Sequence, residues 1–286
     1  MSLKDSLYLI DKHLNFYSLS FRLPTREDTK LSQHETLLEG QMVYNHKFTK
    51  YVYMIFNVIC ISGKPLESTH FSKKLTIIRN DIIVPLREVY PEEEKQIPFP
   101  LLGKDFFKLE KLDWFKKRIH HFTDEEGDRF IYENGKRHND STGIVFVPEE
   151  PIPSYPETFK KWKWPELNSV LFHLQLHPDP ISETRLKLSL WENNSHIEYN
   201  NVHFDDMSTR IMLEEIENHP PEGIIIECSY NPFDGEWQYL RIRPDQTQAT
   251  PILTAMRRLE IYSEGIDFEY LKNEILRGNK KPNQEH

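Results

Sequence analysis

A nearly continuous run of apolar and β-branched residues, from Tyr51 to Ile61, constrains the fold more than any other segment of this chain. Ser62 and Gly63 end the run before it reaches a comfortable helix length. The pattern therefore predicts a buried strand.

The rest of the first half predicts further strands and two helices. The predicted strands are residues 7–10 and 16–19, which flank a polar turn as in a hairpin, residues 36–44, which Glu39-Gly40-Gln41 interrupts, and residues 144–147. The predicted helices are Phe71–Val84, which should stop at Pro85, and Trp114–Phe122, which is basic on one side.

From Val170 onward the pattern changes to short alternating strands. These are residues 170–176, 185–191, 196–199, 224–230 and 236–243, with a helix over 207–217. Five short strands and a helix are typical of a small barrel of the OB type. Ile252, Met256 and Leu259 lie at helical spacing and predict one closing helix over 251–276.

Length and charge limit the classes of protein. At about 150 residues per domain, 286 residues suit two domains. We expect an α+β chain with an antiparallel-sheet domain over 1–172, an OB-fold domain over 173–276, and a disordered tail or tag remnant at 277–286. The net charge of −9, from 36 basic and 45 acidic residues, argues against a protein that coats nucleic acid, although a local basic groove stays open.

Cysteine usage and hydropathy indicate the compartment. Cys60 and Cys228 lie far apart in a sequence without a secretory leader, which favours a nuclear or cytoplasmic protein that is not secreted. No window approaches 18 apolar residues, so no spanning helix and no membrane partner are expected.

Several common catalytic motifs do not occur in the sequence. It contains no GxxxxGK[ST], GxGxxG or HExxH motif and no cysteine and histidine cluster at zinc spacing. A Ser/His/Asp triad stays open, but no GxSxG elbow supports it.

Two short basic segments are the candidate phosphate sites. Lys161 and Lys163 alternate along one predicted strand, and Arg241 and Arg243 along another, so each pair points to one face. A pair of cations on one face suits phosphate binding. A solvent-exposed edge strand that uses charged side chains to prevent pairing with another strand would show the same residue pattern. The residues alone leave both interpretations open.

Five segments occur in a characteristic order. They are TLLEGQMV (36–43), YVYMIFNVICISGKPL (51–66), GIVFVP (143–148), FKKWKWPELNSVLF (159–172) and WQYLRIRPDQ (237–246). The series resembles the ordered motifs of eukaryotic mRNA capping-enzyme guanylyltransferases, in the covalent nucleotidyltransferase superfamily that also holds DNA and RNA ligases. The KWKxPxLNSV stretch and RxRxD are the capping-type versions of their motifs. The resemblance covers residues 7–275.

This resemblance implies a fold and a reaction. The fold would be a nucleotidyltransferase domain of antiparallel sheets, followed by an OB-fold domain, with a nucleotide cleft between them. In the family, the lysine of a KxDG motif attacks the α-phosphorus of GTP, and the resulting lysyl-GMP passes GMP to a diphosphate RNA end. Carboxylates hold a divalent metal. Lys161, Lys163, Arg241 and Arg243 would bind the phosphates.

The sequence also departs from the family pattern. KxDG does not occur in the 286 residues, and the pattern would place its lysine upstream of the Leu7–Ile10 strand. The other departures are Glu39 and Gln41, within Glu-Gly-Gln instead of Asp-Gly-Glu, Asn57 for an aspartate, Thr142 for an acid before Gly143, and Gln246 for a lysine. Most of these changes remove a charge that would position metal or phosphate.

The favoured hypothesis is a catalytically inactive, guanylyltransferase-like module in mRNA 5′-end processing. Its candidate ligands are GTP, GMP or a cap-like group, bound without metal by the four surviving cations. The alternative is an active guanylyltransferase whose nucleophilic lysine lies upstream, and only this alternative requires Mg²⁺. A third interpretation is a protein-interaction module with no ligand in the cleft.

The resemblance also suggests partners. They are an RNA 5′ end or cap, other RNA-processing proteins, and the phosphorylated C-terminal repeat of RNA polymerase II, for which the basic stretch Lys104–Lys117 is a candidate site. A solvated helix face is the alternative role of that stretch.

Overall fold

The computed structural model describes residues 1–3, 6–124, 127–151, 159–177, 185–199, 203–216 and 223–279. The chain forms two compact units. The first consists of Met1–Phe122 and Arg129–Trp162, and the second of Thr123–Asp128 and Lys163–His286. Both units combine helices with mostly antiparallel sheets, which confirms the α+β class. Residues 280–286 of the predicted tail lie outside the described residues.

Short antiparallel sheets dominate the chain up to residue 163. The strands are β1 Ser2–Leu3, β2 Ser6–Ile10, β3 Phe16–Leu19, β4 Leu37–Asn45, β5 Lys50–Ile61, β6 Lys64–Pro65, β7 Leu101–Gly103, β8 Ile119–Asp124, β9 Gly127–Asn134, β10 Arg137–Asp140, β11 Gly143–Phe146 and β12 Lys160–Lys163. They form sheets of order β1-β2-β3, β4-β5-β6, β10-β9-β8 and β11-β12, and β7 adds to β5 in parallel. The predicted hairpin is confirmed, with Leu7 opposite Leu19.

Strand β5 is the buried strand that the sequence predicts. Val52, Ile55 and Val58 are fully buried in it. Its partner β4 runs without interruption, because a shift of register between Glu39 and Gly40 takes up the Glu-Gly-Gln segment. A Cβ atom at Gly40 would lie 2.6 Å from the Tyr53 ring and 2.7 Å from the Met54 carbonyl oxygen. Only glycine allows this close approach of the two strands.

The first predicted helix is longer than expected. Helix α1 (Phe71–Ile77) continues through a π-helical segment, Ile78–Ile83, into α2 (Val84–Val89). The prediction that the helix stops at Pro85 is wrong. Pro85 lies in the first turn of α2, after the π-helical segment has changed the hydrogen-bond register, and a proline is tolerated in a first turn.

The second predicted helix is mostly wrong. After the short helix α3 (Glu93–Gln96) and a 3₁₀ turn at Leu109–Lys111, helix α4 covers only Leu112–Lys116. Residues from Ile119 onward form β8 instead. The backbone N–H groups of Lys117 and Arg118 donate to the carbonyl oxygens of Asp113 and Phe115, respectively, and these bonds end the helix. Ile119 is then buried in the strand that follows.

The second unit is a five-stranded antiparallel sheet with helices. Its elements are β13 Val170–His177, β14 Arg185–Glu192, β15 Ser195–Glu198, α5 Asp206–Ile216, β16 Ile224–Asn231, β17 Glu236–Ile242, α6 Ile252–Glu264 and α7 Phe268–Asn279. The strand order is β15-β14-β13-β16-β17. Its core contains Phe172 from β13, Met212 from α5 and Trp237 from β17, all nearly inaccessible to water. The five predicted strands and the helix between them are confirmed.

The closing segment forms two helices where the sequence predicts one. Gly265 ends α6 in the left-handed conformation, at a φ of 57°, and its N–H bonds to the Tyr262 carbonyl oxygen. A glycine after a helix takes this conformation without steric cost, so the chain turns here before α7 begins. Within the described residues, no helix has the length and apolar character to cross a membrane.

Candidate phosphate-binding site

Strand β12 places the predicted lysines in different surroundings. Lys161 is exposed and belongs to the first unit, whereas Lys163 is half-buried and begins the second. Lys163 Nζ donates to the carbonyl oxygen of Leu167, at the end of a 3₁₀ turn over Pro165–Leu167. Burial and the nearby Arg258 lower the pKa of Lys163, and Glu227 partly opposes them.

The tryptophan that anchors this segment is Trp164. Trp162, the other tryptophan of this segment, is only half-buried. Trp164 is 1% exposed, and its ring stacks on Phe268 at the start of α7. The turn that follows Lys163 is therefore fixed by an aromatic contact with the closing helices.

Glu227 is the centre of the cation cluster. Its Oε2 atom accepts hydrogen bonds from Arg241 Nε at 2.9 Å and from Arg243 Nη1 at 2.8 Å. Two side chains of one strand face can reach a single oxygen in this way. The register of β16 shifts between Glu227 and Cys228, and such a bulge redirects a side chain.

Hydrogen bonding controls the charge of Glu227. Burial raises the pKa of this carboxyl, but the hydrogen bonds from Ser169, Arg243 and Arg241 outweigh burial and hold the pKa below its usual value. Glu227 is therefore ionised at neutral pH. It fixes both guanidinium groups in place.

Asp245 engages Arg243 from the other side. Two parallel hydrogen bonds join them, from Nε to Oδ1 at 2.8 Å and from Nη2 to Oδ2 at 2.7 Å. Gln246, where the family pattern has a lysine, donates from Nε2 to the same Asp245 at 2.9 Å. These hydrogen bonds lower the pKa of Asp245, with that from Arg243 contributing most. An amide at position 246 extends the network without adding positive charge.

Helix α6 adds a cation that the sequence analysis missed. Arg258 is half-buried, its Nη1 donates to the carbonyl oxygen of Ser169, and burial lowers its pKa. With Lys163, Arg241 and Arg243 it makes four cations against two carboxylates, Glu227 and Asp245, which leaves a formal charge of 4 − 2 = +2. Lys163 and Arg258 are both attracted to Glu227, and they repel each other. A bound anion would reduce the repulsion between these two cations.

Weak sequence signals did exist for the missed residues. Glu227 is a lone carboxylate within an apolar strand, Ile224–Asn231, and Arg258 lies between Ala255 and Leu259 on the inward face of α6. A charged residue at an inward position needs a partner. That rule identifies both positions, although it does not reveal that they meet.

The first unit holds four of the five positions at which the sequence departs from the family pattern, all except Gln246. Asn57 lies opposite Glu39 in the β4–β5 ladder, and its Nδ2 donates to Glu39 Oε2 at 2.7 Å. Gln41 is exposed further along β4, and Thr142 is exposed just before β11. The Asn57 amide and the Glu39 carboxylate thus form a hydrogen-bonded pair at two of these positions.

Comparison with known proteins supplies the context for this geometry. The family model described as mRNA capping enzyme, catalytic domain, matches residues 1–138. The chain is 24% identical to the mRNA-capping enzyme subunit alpha of Schizosaccharomyces pombe, covering 95% of this chain and 68% of that protein. The Saccharomyces cerevisiae subunit alpha is 22% identical, covering 93% of this chain and 67% of that protein.

A vertebrate relative extends the comparison. The mRNA-capping enzyme of Mus musculus is 25% identical, covering 88% of this chain but 39% of its own length. These matches support the mRNA capping-enzyme guanylyltransferase family, which the ordered sequence motifs resemble. Among solved structures, the ligase domain of M. tuberculosis LigD aligns at 11% identity, over 74% of each chain, with a TM-score of 0.27, which is too low to bear on the fold.

The divalent metal that the resemblance implies does not fit the residues of the first unit. A hard cation needs several carboxylate or carbonyl oxygens directed at one point. Here the NH₂ group of Asn57 faces the Glu39 carboxylate, and position 41 is an amide. In the described parts of the chain, no three His, Cys, Asp or Glu side chains gather in a way that could hold a metal ion.

Proposed function

We propose that this chain is a phosphate-binding module of mRNA 5′-end processing that does not itself carry out guanylyl transfer. The net-positive cluster around Glu227 carries the proposal. Glu227 engages only the Nε atom of Arg241, so the Nη groups of that side chain suit a phosphate oxygen. Charge-assisted hydrogen bonds of this kind bind phosphate without a metal ion.

The candidate ligands are GTP, GMP and a capped or phosphorylated RNA 5′ end. All carry phosphate groups that match a site with formal charge +2. Lys163, Arg241, Arg243 and Arg258 would bind them, and Lys161 is a further candidate. The relatives are named mRNA-capping enzymes, which supports an RNA 5′ end as the general partner. Such a ligand implies a nuclear or cytoplasmic location.

We also propose that the second unit is an OB-fold barrel. The β15-β14-β13-β16-β17 order, with α5 between β15 and β16, agrees with the five-stranded Greek-key pattern. A parallel bridge between Phe204 and Trp237 brings the segment after β15 to the other edge strand, β17. This bridge supports closure of the sheet. Loops and strand faces of OB barrels bind oligonucleotides.

A labelling experiment tests the proposed absence of guanylyl transfer. Incubation with α-labelled GTP and Mg²⁺ or Mn²⁺ should give no covalent protein–GMP adduct, because the sequence lacks the KxDG lysine and Glu39 faces an amide. A capping enzyme that contains KxDG serves as the positive control. An acid-labile adduct on the protein would instead support the alternative, an active guanylyltransferase, which the match to the catalytic-domain family model favours.

A calorimetric titration tests the phosphate site. GTP and inorganic pyrophosphate should both bind, and Mg²⁺ should change the affinity little beyond its effect on the free ligand. The variants Arg241→Ala and Lys161→Ala test whether these two side chains contribute to the affinity for GTP and pyrophosphate. Absence of measurable binding by the unmodified protein would reject the phosphate-binding function and leave a protein-interaction module.

The basic stretch Lys104–Lys117 is a weaker candidate for binding a phosphorylated polymerase repeat. Lys104 is half-buried, and its ammonium group lies 5.9 Å from the centre of the Phe56 ring. Burial lowers the pKa of Lys104. Arg118 stacks on Trp114, with its guanidinium carbon 3.2 Å from the ring centre. The exposed cations that such a peptide would meet are Lys108, Lys111 and Lys117.

A further inference from the structure

Two tyrosines of the β4–β5 hairpin lie side by side on its surface. Tyr44 is opposite Tyr51 in the antiparallel ladder, so both side chains project from one face of the sheet. Tyr44 is 39% exposed and Tyr51 is 59% exposed. Their rings meet edge to face, with centres 5.7 Å apart. More than half of Tyr51 is therefore open to a ligand that stacks on aromatic rings.

The ring contacts continue into the turn after β4 and onto β10. The His46 ring lies 5.3 Å from the Tyr44 ring and 5.6 Å from the His138 ring, measured between ring centres. The backbone N–H of His46 also donates to the carbonyl oxygen of His138 at 2.7 Å. Tyr51, Tyr44, His46 and His138 thus form a continuous series of ring contacts, here called the aromatic row.

Hydrogen bonds hold the turn that carries the aromatic row. The Nδ2 atom of the buried Asn45 donates to the carbonyl oxygen of Lys136 at 2.8 Å. The Lys47 ammonium donates to the carbonyl oxygen of Gly135 at 3.0 Å. Both acceptors lie in the turn between β9 and β10, so the two turns support each other. A surface that is fixed in advance loses little conformational entropy when a ligand binds.

The two turns and the residues beside them are basic. Their lysines are Lys47, Lys50 and Lys136. Neither turn contains an acid, although the whole chain has a net charge of −9. The acids of the adjoining strands have partners of their own. Asp140 on β10 lies 3.4 Å from His46 and 3.3 Å from Arg129. Glu133 on β9 lies 3.7 Å from His120. The aromatic row therefore lies beside a local excess of positive charge, which suits a polyanion.

We propose that the aromatic row and these three lysines bind single-stranded RNA. Nucleobases of any identity stack on tyrosine and histidine rings, and lysine side chains contact the phosphates between them. The Lys47 ammonium has three donors and gives one to Gly135, which leaves two for phosphate oxygens. The choice of RNA rests on the proposed function, which this surface extends from the 5′ phosphates to the nucleotides that follow.

Fluorescence anisotropy with a labelled oligouridine tests the inference. The RNA carries a 5′ hydroxyl, and excess pyrophosphate occupies the cluster around Glu227, which belongs to the second unit. The unmodified protein should bind this RNA. Tyr44→Ala with Tyr51→Ala should weaken binding at least about tenfold, because both stacking surfaces are removed. Lys47→Gln should also weaken binding and reduce the slope of log affinity against log salt concentration by about 0.7.

Matched variants separate stacking from other roles of the tyrosines. Tyr44→Phe with Tyr51→Phe keeps both rings and should retain the affinity. Tyr17→Ala with Tyr270→Ala removes two tyrosines of similar exposure, 50% and 55%, from other elements and should leave the affinity unchanged.

The inference is overturned if the unmodified protein does not bind the RNA, which would leave the aromatic row to a protein partner. It is also overturned if the alanine variant of the row binds as well as the unmodified protein, or if the phenylalanine variant or the Tyr17 and Tyr270 control loses as much affinity. Circular dichroism checks folding, and if the alanine variant does not fold, Lys47→Gln decides by its affinity and salt slope. Failure of the proposed function shows separately, as a covalent GMP adduct or as absent pyrophosphate binding.

Discussion

The Nη1 atom of Arg243 lies 2.8 Å from Oε2 of Glu227, a residue that is only 8% exposed. A buried carboxylate of this kind orients an arginine and also cancels one positive charge of the cluster. Because Lys163, Arg241 and Arg258 surround the same carboxylate, Glu227 determines both the geometry and the net charge of the candidate phosphate site.

The substitution Glu227→Gln separates these two roles. It should lower the free energy of unfolding by about 1–3 kcal/mol, because Arg241 and Arg243 lose a charge-assisted acceptor in a partly buried place. The formal charge of the cluster would rise to 2 + 1 = +3, so affinity for pyrophosphate should not fall. Urea denaturation and calorimetry measure the two effects. Unchanged stability together with lost binding would contradict this account of Glu227.

The pH dependence of stability follows from the lowered pKa of Glu227. A carboxyl whose pKa is lower in the folded state stabilises the fold fully above its unfolded pKa, about 4.3. That contribution is lost as the pH falls through the folded value. The stability difference between the unmodified protein and Glu227→Gln should therefore be constant near neutral pH and shrink in acid. Urea denaturation across this range checks it, and a difference independent of pH would refute the assignment.

Arg258 should contribute directly to anion binding. Arg258→Ala removes one of the cations and should weaken pyrophosphate binding about tenfold or more, since a charge-assisted contact contributes about 1.5–3 kcal/mol. Arg277→Ala is the matched control, because Arg277 is exposed on α7 and pairs with Glu274. Calorimetry compares the two variants. Equal affinities would show that Arg258 only supports the loop at Ser169.

The sequence predicted the strands well because their patterns are local. The Tyr51–Ile61 run and the hairpin at Leu7 and Leu19 depend on burial and turn chemistry that neighbouring residues encode. Helix boundaries were harder. The π-helical segment that accommodates Pro85 and the change from helix to strand at Ile119 depend on tertiary contacts.

The candidate site was predictable only in part. Arg241 and Arg243 carry a recognisable motif, and their shared face follows from strand geometry. Arg258 lies on a helix and reaches Ser169 across 89 positions of sequence. The sequence pattern of a helix cannot indicate such a distant partner.

The break between α6 and α7 should depend on the backbone freedom of Gly265. Gly265→Ala places a Cβ on a left-handed residue, at φ 57°, and should destabilise the protein by about 1 kcal/mol. Among the described residues, no heavy atom lies within 4 Å of the position of that Cβ, so the cost is conformational only. Gly278→Ala, within α7 and equally free of contacts, should be neutral or slightly stabilising. Thermal denaturation of both variants checks this, and similar effects would argue against a conformational role for Gly265.

Binding of an anion should raise the pKa of Lys163. In the free protein, burial and Arg258 lower that pKa, and a bound anion would favour the ammonium form. Sulfate is a suitable probe because it has no titrating proton in this range. At roughly pH 9, below the usual lysine pKa of about 10.4, sulfate binding should take up protons, which calorimetry in buffers of different ionisation enthalpy measures. Lys163→Met should abolish the uptake, whereas Lys73→Met, which removes an exposed lysine of α1 outside the cluster, should leave it unchanged. Proton uptake that persists in Lys163→Met would place the titrating group elsewhere.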